Sequence, residues 1–180
     1  MGDKWEGGVK NLKKWVTSTY GWPLRERTQA SGVQLDQNTL WITGGSSGET
    51  STELISFGKP PIDGPKLPFW VNRHSMIKVD QKTIYLIGGT GANYHYFAHE
   101  LSNSTWIIDP TNNFGIKKGP TMNVERPCGP TSAKMIINGN IFIVVAGGTK
   151  VCSPYRTSLE LLNTSLPNQG WMSGKIMKYT

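Results

Sequence analysis

The sequence predicts an all-β chain built from repeated four-stranded antiparallel units. Two stretches, Leu35–Gly45 and Val79–Gly89, share Asp-Gln-x-Thr, an aliphatic-aromatic-aliphatic run and a terminal Gly-Gly. A third stretch, Met135–Gly148, is a looser copy. The first two copies start 44 residues apart, and a fixed period of this size is typical of architectures with one supersecondary unit per copy. The 21 Gly and 11 Pro punctuate the chain evenly, as in folds of short strands and tight turns.

The first two strands of each unit flank a hairpin turn. In the first unit we expect strands at Ser31–Leu35 and Leu40–Ile42. We expect a turn between them, because its Asp and Asn tolerate unusual backbone angles. In the third unit the turn is Asn138-Gly139, a strong hairpin signal. The Gly-Gly at the end of each second strand permits a sharp turn, or the close approach of a neighbouring strand.

A variable loop follows each Gly-Gly, and two further elements complete the unit. Third strands are predicted at Thr52–Phe57, Ser104–Asp109 and Ser158–Asn163. Fourth elements are predicted around Gly64–Pro68, Phe114–Met122 and Gly170–Gly174, and the next arginine, Arg73 or Arg126, closes the cycle. Four strands in about 45–50 residues predict one antiparallel blade of a β-propeller.

The order of these elements resembles the kelch repeat. That repeat runs from an aliphatic or aromatic stretch into Gly-Gly, then to a Tyr-Asp-like strand, Trp, Gly-Pro-x-Met/Leu-Pro and Arg. The segment Trp106–Pro110 with Phe114, Gly119-Pro120, Met122 and Arg126 fits this pattern best, and the similarity covers residues 20–178. One departure is that the fourth-strand Trp is absent from the first unit and is Phe114 in the second.

The resemblance implies a kelch-type β-propeller with an incomplete ring of four-stranded antiparallel blades. We expect blades at 27–72, 73–125 and 126–178, with residues 1–26 forming the end of a preceding blade or an N-terminal extension. Kelch propellers resemble closed rings of about six blades, so three blades would leave two apolar faces open. The chain is then either a fragment of a longer protein, which we favour, or one of several copies that pair to complete a ring.

Composition excludes several partner classes. The 19 Lys and Arg give a net charge of +7, but they are scattered rather than arranged in a stripe with stacking aromatics, so we expect no nucleic-acid partner. No apolar run approaches the ~18 residues of a transmembrane helix, and Met1–Glu6 has no signal-peptide core. We therefore expect no membrane partner and favour a cytoplasmic location. Cys128 and Cys152 are too few for a disulfide scaffold, and whether they form a bridge stays open.

Recognition is predicted at the loops of one face. In a four-stranded blade, the loop between strands two and three and the loop that leads into strand one lie at the same end, and such loops usually carry recognition. The richest is Thr90–His99, whose aromatic residues are of the types that anchor interfaces; packing of Tyr96 and Phe97 over the blade is the alternative. The candidate partner-binding residues are Ser46, Arg73, His74, Thr90, Tyr94, His95, Tyr96, Arg126, Tyr155 and Arg156.

Recurrence gives several of these residues a second interpretation. Arg73 and Arg126 recur with the repeat, and the kelch resemblance implies that such an arginine ties loops together, a role that we favour over direct contact with a ligand. A glutamate recurs near strand three, as Glu53, Glu100 and Glu160, and this periodicity favours a structural role.

Patterns typical of catalysis are weak. His95 and His99 are four apart, but they fall in a predicted loop rather than on a helix, so we expect no metal. The Gly-Gly pairs lack the helix start and lysine of a phosphate loop, so we expect no cofactor. The sequence therefore predicts a non-enzymatic module that binds a protein partner of unknown identity through its loops, with self-association through the open faces as a further expectation. The kelch resemblance leaves open the substrate-recognition part of a ubiquitin-ligase adaptor, or the propeller domain of a copper-radical enzyme similar to galactose oxidase.

Overall fold

A computed structural model describes residues 23–46, 50–91, 102–149 and 158–174. Within these ranges the chain forms three four-stranded antiparallel sheets, which confirms the all-β prediction. Sheet 1 comprises β1 Ser31–Gln34, β2 Thr39–Thr43, β3 Thr52–Ser56 and β4 Ile62–Asp63. Sheet 2 comprises β5 Ser75–Lys78, β6 Ile84–Ile87, β7 Thr105–Asp109 and β8 Gly115–Lys118. Sheet 3 comprises β9 Cys128–Ile137, β10 Asn140–Thr149, β11 Leu159–Asn163 and β12 Trp171–Ser173, with a short 3₁₀ helix, Pro167–Gln169, before β12.

Each sheet is a meander in which consecutive strands pair in chain order. The residue before Gly-Gly pairs with a matching position of the first strand: Thr43 with Ser31, Ile87 with Ser75, and Ala146 with Thr131. These three pairs align the sheets, and equivalent positions are identified from them below. No helix in the described ranges is long and apolar enough to cross a membrane.

The predicted hairpin turns are confirmed. The Asp36 carboxylate accepts the backbone N–H of Asn38 at 2.8 Å, and the Asp80 carboxylate accepts that of Lys82 at 2.8 Å. The hydrogen bond from Asn38 holds the pKa of Asp36 below its usual value. In sheet 3 the turn is Asn138-Gly139, with φ angles of 50° and 76°, as a two-residue hairpin loop with positive φ requires.

The Gly-Gly pairs of sheets 1 and 2 lie against the segment that links their sheet to the next one. Gly44 has a φ of 60°, and a Cβ atom there would collide with the carbonyl oxygen of Val71. Gly88 has a φ of 62°, and a Cβ atom there would be 2.8 Å from the carbonyl oxygen of Arg126. Both needs, positive φ and space for a neighbouring backbone, select glycine. The predicted close approach of a neighbouring segment is thus confirmed.

The predicted fourth element is confirmed in sheet 3, where it contains β12, and in sheet 2 it contains β8, but in sheet 1 it is misplaced. The observed strands β4 and β8 end before Gly64 and Gly119, and the Gly-Pro segments that follow are the links to the next sheet. The Gly64 N–H donates to the Thr52 carbonyl at 2.9 Å and that of Gly119 to the Thr105 carbonyl at 2.8 Å. The proline after each glycine has no N–H with which to extend the ladder.

Two apolar layers hold the sheets together, one between sheets 1 and 2 and one between sheets 2 and 3. The first layer contains Val33, Trp41, Leu67, Val71, Met76, Ile84, Leu86 and Ile108. The second contains Val79, Tyr85, Ile87, Met122, Ile143, Val145, Leu162 and Trp171. The first strands also lie side by side, β1 next to β5 and β5 next to β9.

Candidate functional site

The loops that lead into each first strand and the loops that leave each second strand meet at one end of the sheets. In sheet 1, the N–H of Ser46 donates to the carbonyl of Thr28 at 2.9 Å. In sheet 2, the backbones of Asn72 and Thr90 exchange two hydrogen bonds of 3.0 Å, and the Thr90 hydroxyl donates to the Asn72 side chain at 2.6 Å. The predicted common location of these loops is confirmed in both sheets. We call this surface the loop end; its described residues are Thr28, Gln29, Ser46, Asn72, Arg73, Thr90, Cys128 and Gly129.

A ladder of backbone hydrogen bonds joins the three sheets at the loop end. Gln29, Arg73 and Gly129 are equivalent residues, each two positions before the aligned residue of its first strand, and their φ angles are 61°, 56° and 64°. The Arg73 N–H donates to the Gln29 carbonyl at 2.8 Å, and the Gly129 N–H donates to the Arg73 carbonyl at 3.0 Å. Two non-glycine residues therefore adopt a left-handed conformation, which persists only where the surrounding structure enforces it.

The Arg73 side chain reinforces this ladder. Its Nε donates to the Gln29 side-chain oxygen at 2.9 Å, and its Nη1 is 3.1 Å from Sγ of Cys128. One half-buried guanidinium of the second unit thus contacts a residue of the first unit and a residue of the third. The interpretation that Arg73 ties loops together is confirmed. Cys128 carries a free thiol, and Cys152, with which a bridge had been left open, lies outside the described residues.

Arg126 is an interior structural residue. Its side chain is fully buried, so it is not part of the loop-end surface. Its Nη2 is 3.1 Å from Oε2 of Glu160, and its Nη1 donates to the Gly147 carbonyl at 2.6 Å. The Asn123 N–H donates to the other oxygen of Glu160 at 2.7 Å. Arg126 therefore fastens the link between sheets 2 and 3 to sheet 3, which confirms the favoured structural interpretation; its place among the candidate partner-binding residues is wrong.

Sheet 1 has the same network at equivalent positions. Nη2 of Arg27 is 2.7 Å from Oε1 of Glu53, Nη1 donates to the Gly44 carbonyl at 2.7 Å, and the Leu24 N–H donates to Glu53 at 2.7 Å. Glu53 and Glu160 are both fully buried. Their predicted structural role is confirmed, whereas Glu100 lies outside the described residues.

Sheet 2 replaces this network with apolar residues. Val71 occupies the position of Arg126, because its carbonyl accepts a hydrogen bond from Gly45 as that of Arg126 accepts one from Gly89. The strand registers place Trp106 where sheets 1 and 3 have Glu53 and Glu160. Pro68 stands where Leu24 and Asn123 donate their N–H groups, and proline has none to donate. Arg73 is therefore not the repeat equivalent of Arg126, contrary to the prediction from sequence spacing. It belongs with Gln29.

His74 is also interior rather than exposed. Its Nε2 is 2.7 Å from Oγ1 of Thr43 across the first apolar layer, and its Nδ1 has no hydrogen-bond partner in the described part of the chain. Burial lowers the pKa of His74 to about 3, so the ring is neutral at ordinary pH. The prediction that His74 contacts a partner is wrong, because only 5% of the residue is exposed.

Of the remaining candidates, two lie at the loop end. Ser46 is exposed and Thr90 is partly exposed. Five lie outside the described residues, and for them the prediction stays a prediction: Tyr94, His95, Tyr96, Tyr155 and Arg156. Thr28, Gln29 and Asn72 also lie at the loop end but were not among the candidates. An alignment of the three units on their Gly-Gly pairs, with residues counted back from the first strand of each, would have found them.

The described residues contain no cluster of metal ligands. Within residues 23–46, 50–91, 102–149 and 158–174, no three His, Cys, Asp or Glu side chains gather as a metal site requires.

No family model matches the sequence, and no curated protein sequence matches it. The fold is similar to solved structures, among them the structure of YjhT, with 17% sequence identity and a TM-score of 0.60. The match covers 87% of this chain and 52% of that chain. The chain therefore spans about half the length of that structure, and at this identity the similarity concerns the fold alone.

Proposed function

We propose that the chain is a segment of a kelch-type β-propeller that recognises a protein partner through its loop end. The propeller arrangement is supported by three sheets of equal topology that pack face to face, with their first strands side by side. In a propeller, radially repeated blades share this order and present their loops at two ends.

The observation that carries the recognition role is the ladder from Gln29 through Arg73 to Gly129. Backbone hydrogen bonds and the Arg73 guanidinium fix the bases of neighbouring loops relative to one another. Loops on a rigid scaffold are the usual site of binding, because ordering them costs little on association. The polar groups there differ from unit to unit, whereas the strand order and the Gly-Gly pairs repeat.

The residue types at the loop end suit a polar protein surface. Ser46 and Thr90 present hydroxyl groups, and Arg73 supplies one cation and planar hydrogen-bond donors. Arginine is enriched among the residues that dominate protein interfaces. The substrate-recognition part of a ubiquitin-ligase adaptor would use this same surface, and it is a special case of the proposal.

A pair of matched variants tests the role. Ser46→Arg adds bulk and charge at the loop end, and Gln37→Arg adds the same group at the exposed turn between β1 and β2 of the same sheet. Proteins captured by the immobilised native chain are identified, and the affinity of a purified partner is then measured by calorimetry for each variant. We expect Ser46→Arg to weaken binding at least tenfold and Gln37→Arg to leave it unchanged. Equal effects of the two variants would contradict recognition at the loop end.

A further inference from the structure

The front face of sheet 1 is uncovered where the equivalent faces of sheets 2 and 3 are buried. By front face we mean the side on which a sheet packs against the preceding sheet, and by back face the opposite side. Ile84 in sheet 2 and Ile143 in sheet 3 are 0% exposed, whereas Leu40, at the equivalent position in sheet 1, is 39% exposed. Ile42, beside it on this face, is only half-buried.

The back face of sheet 3 shows the converse. Trp41 and Tyr85 are buried on the back faces of sheets 1 and 2, and their equivalent in sheet 3, Val144, is half-buried. Around Val144, Met135 is 46% exposed and Met172 is 41% exposed. An apolar sheet face of this kind marks an association surface.

We propose that a second copy of this chain covers both faces. The back face of sheet 3 in one copy packs on the front face of sheet 1 in the other, and the same contact is made a second time with the roles exchanged. The resulting pair has two-fold symmetry and two identical front-to-back interfaces, which closes the assembly rather than extending it.

The contacts inside the chain argue for this partner. Back faces pack on front faces at both internal boundaries, in the two apolar layers. The surface that matches the open back face of sheet 3 is therefore a front face, and the front face of sheet 1 is one that the chain itself carries.

The start of the described chain is also prepared for such a contact. The segment Pro23–Arg27 sits against sheet 1 as Met122–Arg126 sits against sheet 3, with its backbone and arginine bound to a buried glutamate. Among the described residues, the front face of sheet 1 thus holds a segment like the one that ends a preceding unit.

The native mass tests the proposal first. Light scattering on the full chain across a range of concentrations is expected to give twice the chain mass of 19.9 kDa. A folded monomer throughout would overturn the inference, because another occupant would then cover these faces. Open-ended polymers would overturn it as well.

Single charges then test each face. Leu40→Lys on the front of sheet 1 and Met135→Glu on the back of sheet 3 are each expected to give a folded monomer. Both side chains are exposed in the single chain, so folding tolerates the change. Leu166→Lys is the control, because Leu166 is 49% exposed in the loop between β11 and β12, away from both faces. It should leave the dimer intact.

Mixing the two monomeric variants separates front-to-back pairing from other modes. A mixed pair has one native interface and one interface that carries opposite charges on its two faces, so the mixture is expected to recover the dimer. In a back-to-back or front-to-front dimer only one of the two faces is in contact, so one of the two variants would stay dimeric by itself. Failure of the mixture to dimerise would overturn the head-to-tail arrangement. None of these results depends on partner binding at the loop end.

Discussion

Arg126 and Glu160 form a buried ion pair, with Nη2 and Oε2 3.1 Å apart, and it recurs in sheet 1 as Arg27 with Glu53. In both places the arginine comes from the link that enters the sheet and the glutamate from the third strand. Backbone carbonyl and N–H groups complete the hydrogen bonding of each pair. A buried charge is tolerated when it is paired and its hydrogen-bonding groups have partners in this way.

Removing one partner of the pair in sheet 3 should be costly. We expect Arg126→Met to lower the free energy of unfolding by about 3–5 kcal/mol, because Glu160 would stay buried without its cation. The double variant Arg126→Met/Glu160→Gln should lose less than the single one. Urea denaturation measures both. Arg25→Met is the control, since its ion pair with Asp63 is exposed; a loss as large as that of Arg126→Met would contradict the assignment.

Sheet 2 offers the reciprocal test. Val71→Arg introduces the arginine without its glutamate, and we expect it to destabilise the chain by about 3–5 kcal/mol as an unpaired buried charge. Adding Trp106→Glu supplies the missing partner and should restore part of the loss. Thermal unfolding of the single and double variants gives the coupling between the two sites. A coupling free energy of zero would mean that Val71 and Trp106 do not occupy the positions that the arginine and the glutamate have in the other two sheets.

Gly44, which lies against the link between sheets 1 and 2, should not tolerate replacement. Gly44→Ala combines a positive φ with a collision against the Val71 backbone, and we expect a loss well above the roughly 1–2 kcal/mol of the left-handed conformation alone. Gly139→Ala is the matched control, because Gly139 also has a positive φ but has open space around it. Equal losses in chemical denaturation would show that the crossing of the chain is not the cause.

His74 should make the chain sensitive to mild acid. In the unfolded chain the imidazole takes up a proton near its ordinary pKa of 6.5, whereas in the fold burial holds the pKa at about 3. Between these values the unfolded state binds more protons, so stability is lost as the pH falls, by up to about 1.4 kcal/mol per pH unit. His74→Gln cannot titrate, and its unfolding free energy should fall less between pH 6.5 and 4.5. Parallel pH profiles for the two proteins would refute the role of His74.

The repeated parts of the chain were predictable from sequence because local rules determine them. Asp36 and Asp80 make the same turn, and the Asn138-Gly139 hairpin follows from backbone preference alone. The Arg73 assignment failed for a different reason. Sequence spacing equated Arg73 with Arg126, but the carbonyls of Val71 and Arg126 accept the equivalent hydrogen bonds, from Gly45 and Gly89. Arg73 lies two residues after Val71, and only these contacts between neighbouring units reveal the offset.

The burial of His74 and Arg126 was equally hidden. Both are polar residues beside predicted surface loops, and sequence pattern assigns such residues to the exterior. Their burial depends on contacts with Thr43 and Glu160, which lie 31 and 34 residues away along the chain. Contacts at that distance are set by how neighbouring sheets pack.

The segments that link one sheet to the next make each sheet depend on the sheet before it. Each segment is bonded to the sheet that it leaves and, by its last residue, to the next sheet. The Met122 N–H donates to the carbonyl of Asn103, in the loop between β6 and β7 of sheet 2, and Arg126 is paired with Glu160 in sheet 3. If sheet 2 melts, the segment is released and Glu160 loses its cation, whereas melting of sheet 3 leaves the exit from sheet 2 bonded to its own loop. We therefore expect damage to spread from earlier units to later ones more readily than backwards. In hydrogen-exchange terms, a lesion in sheet 1 should lower the protection of the sheets that follow it.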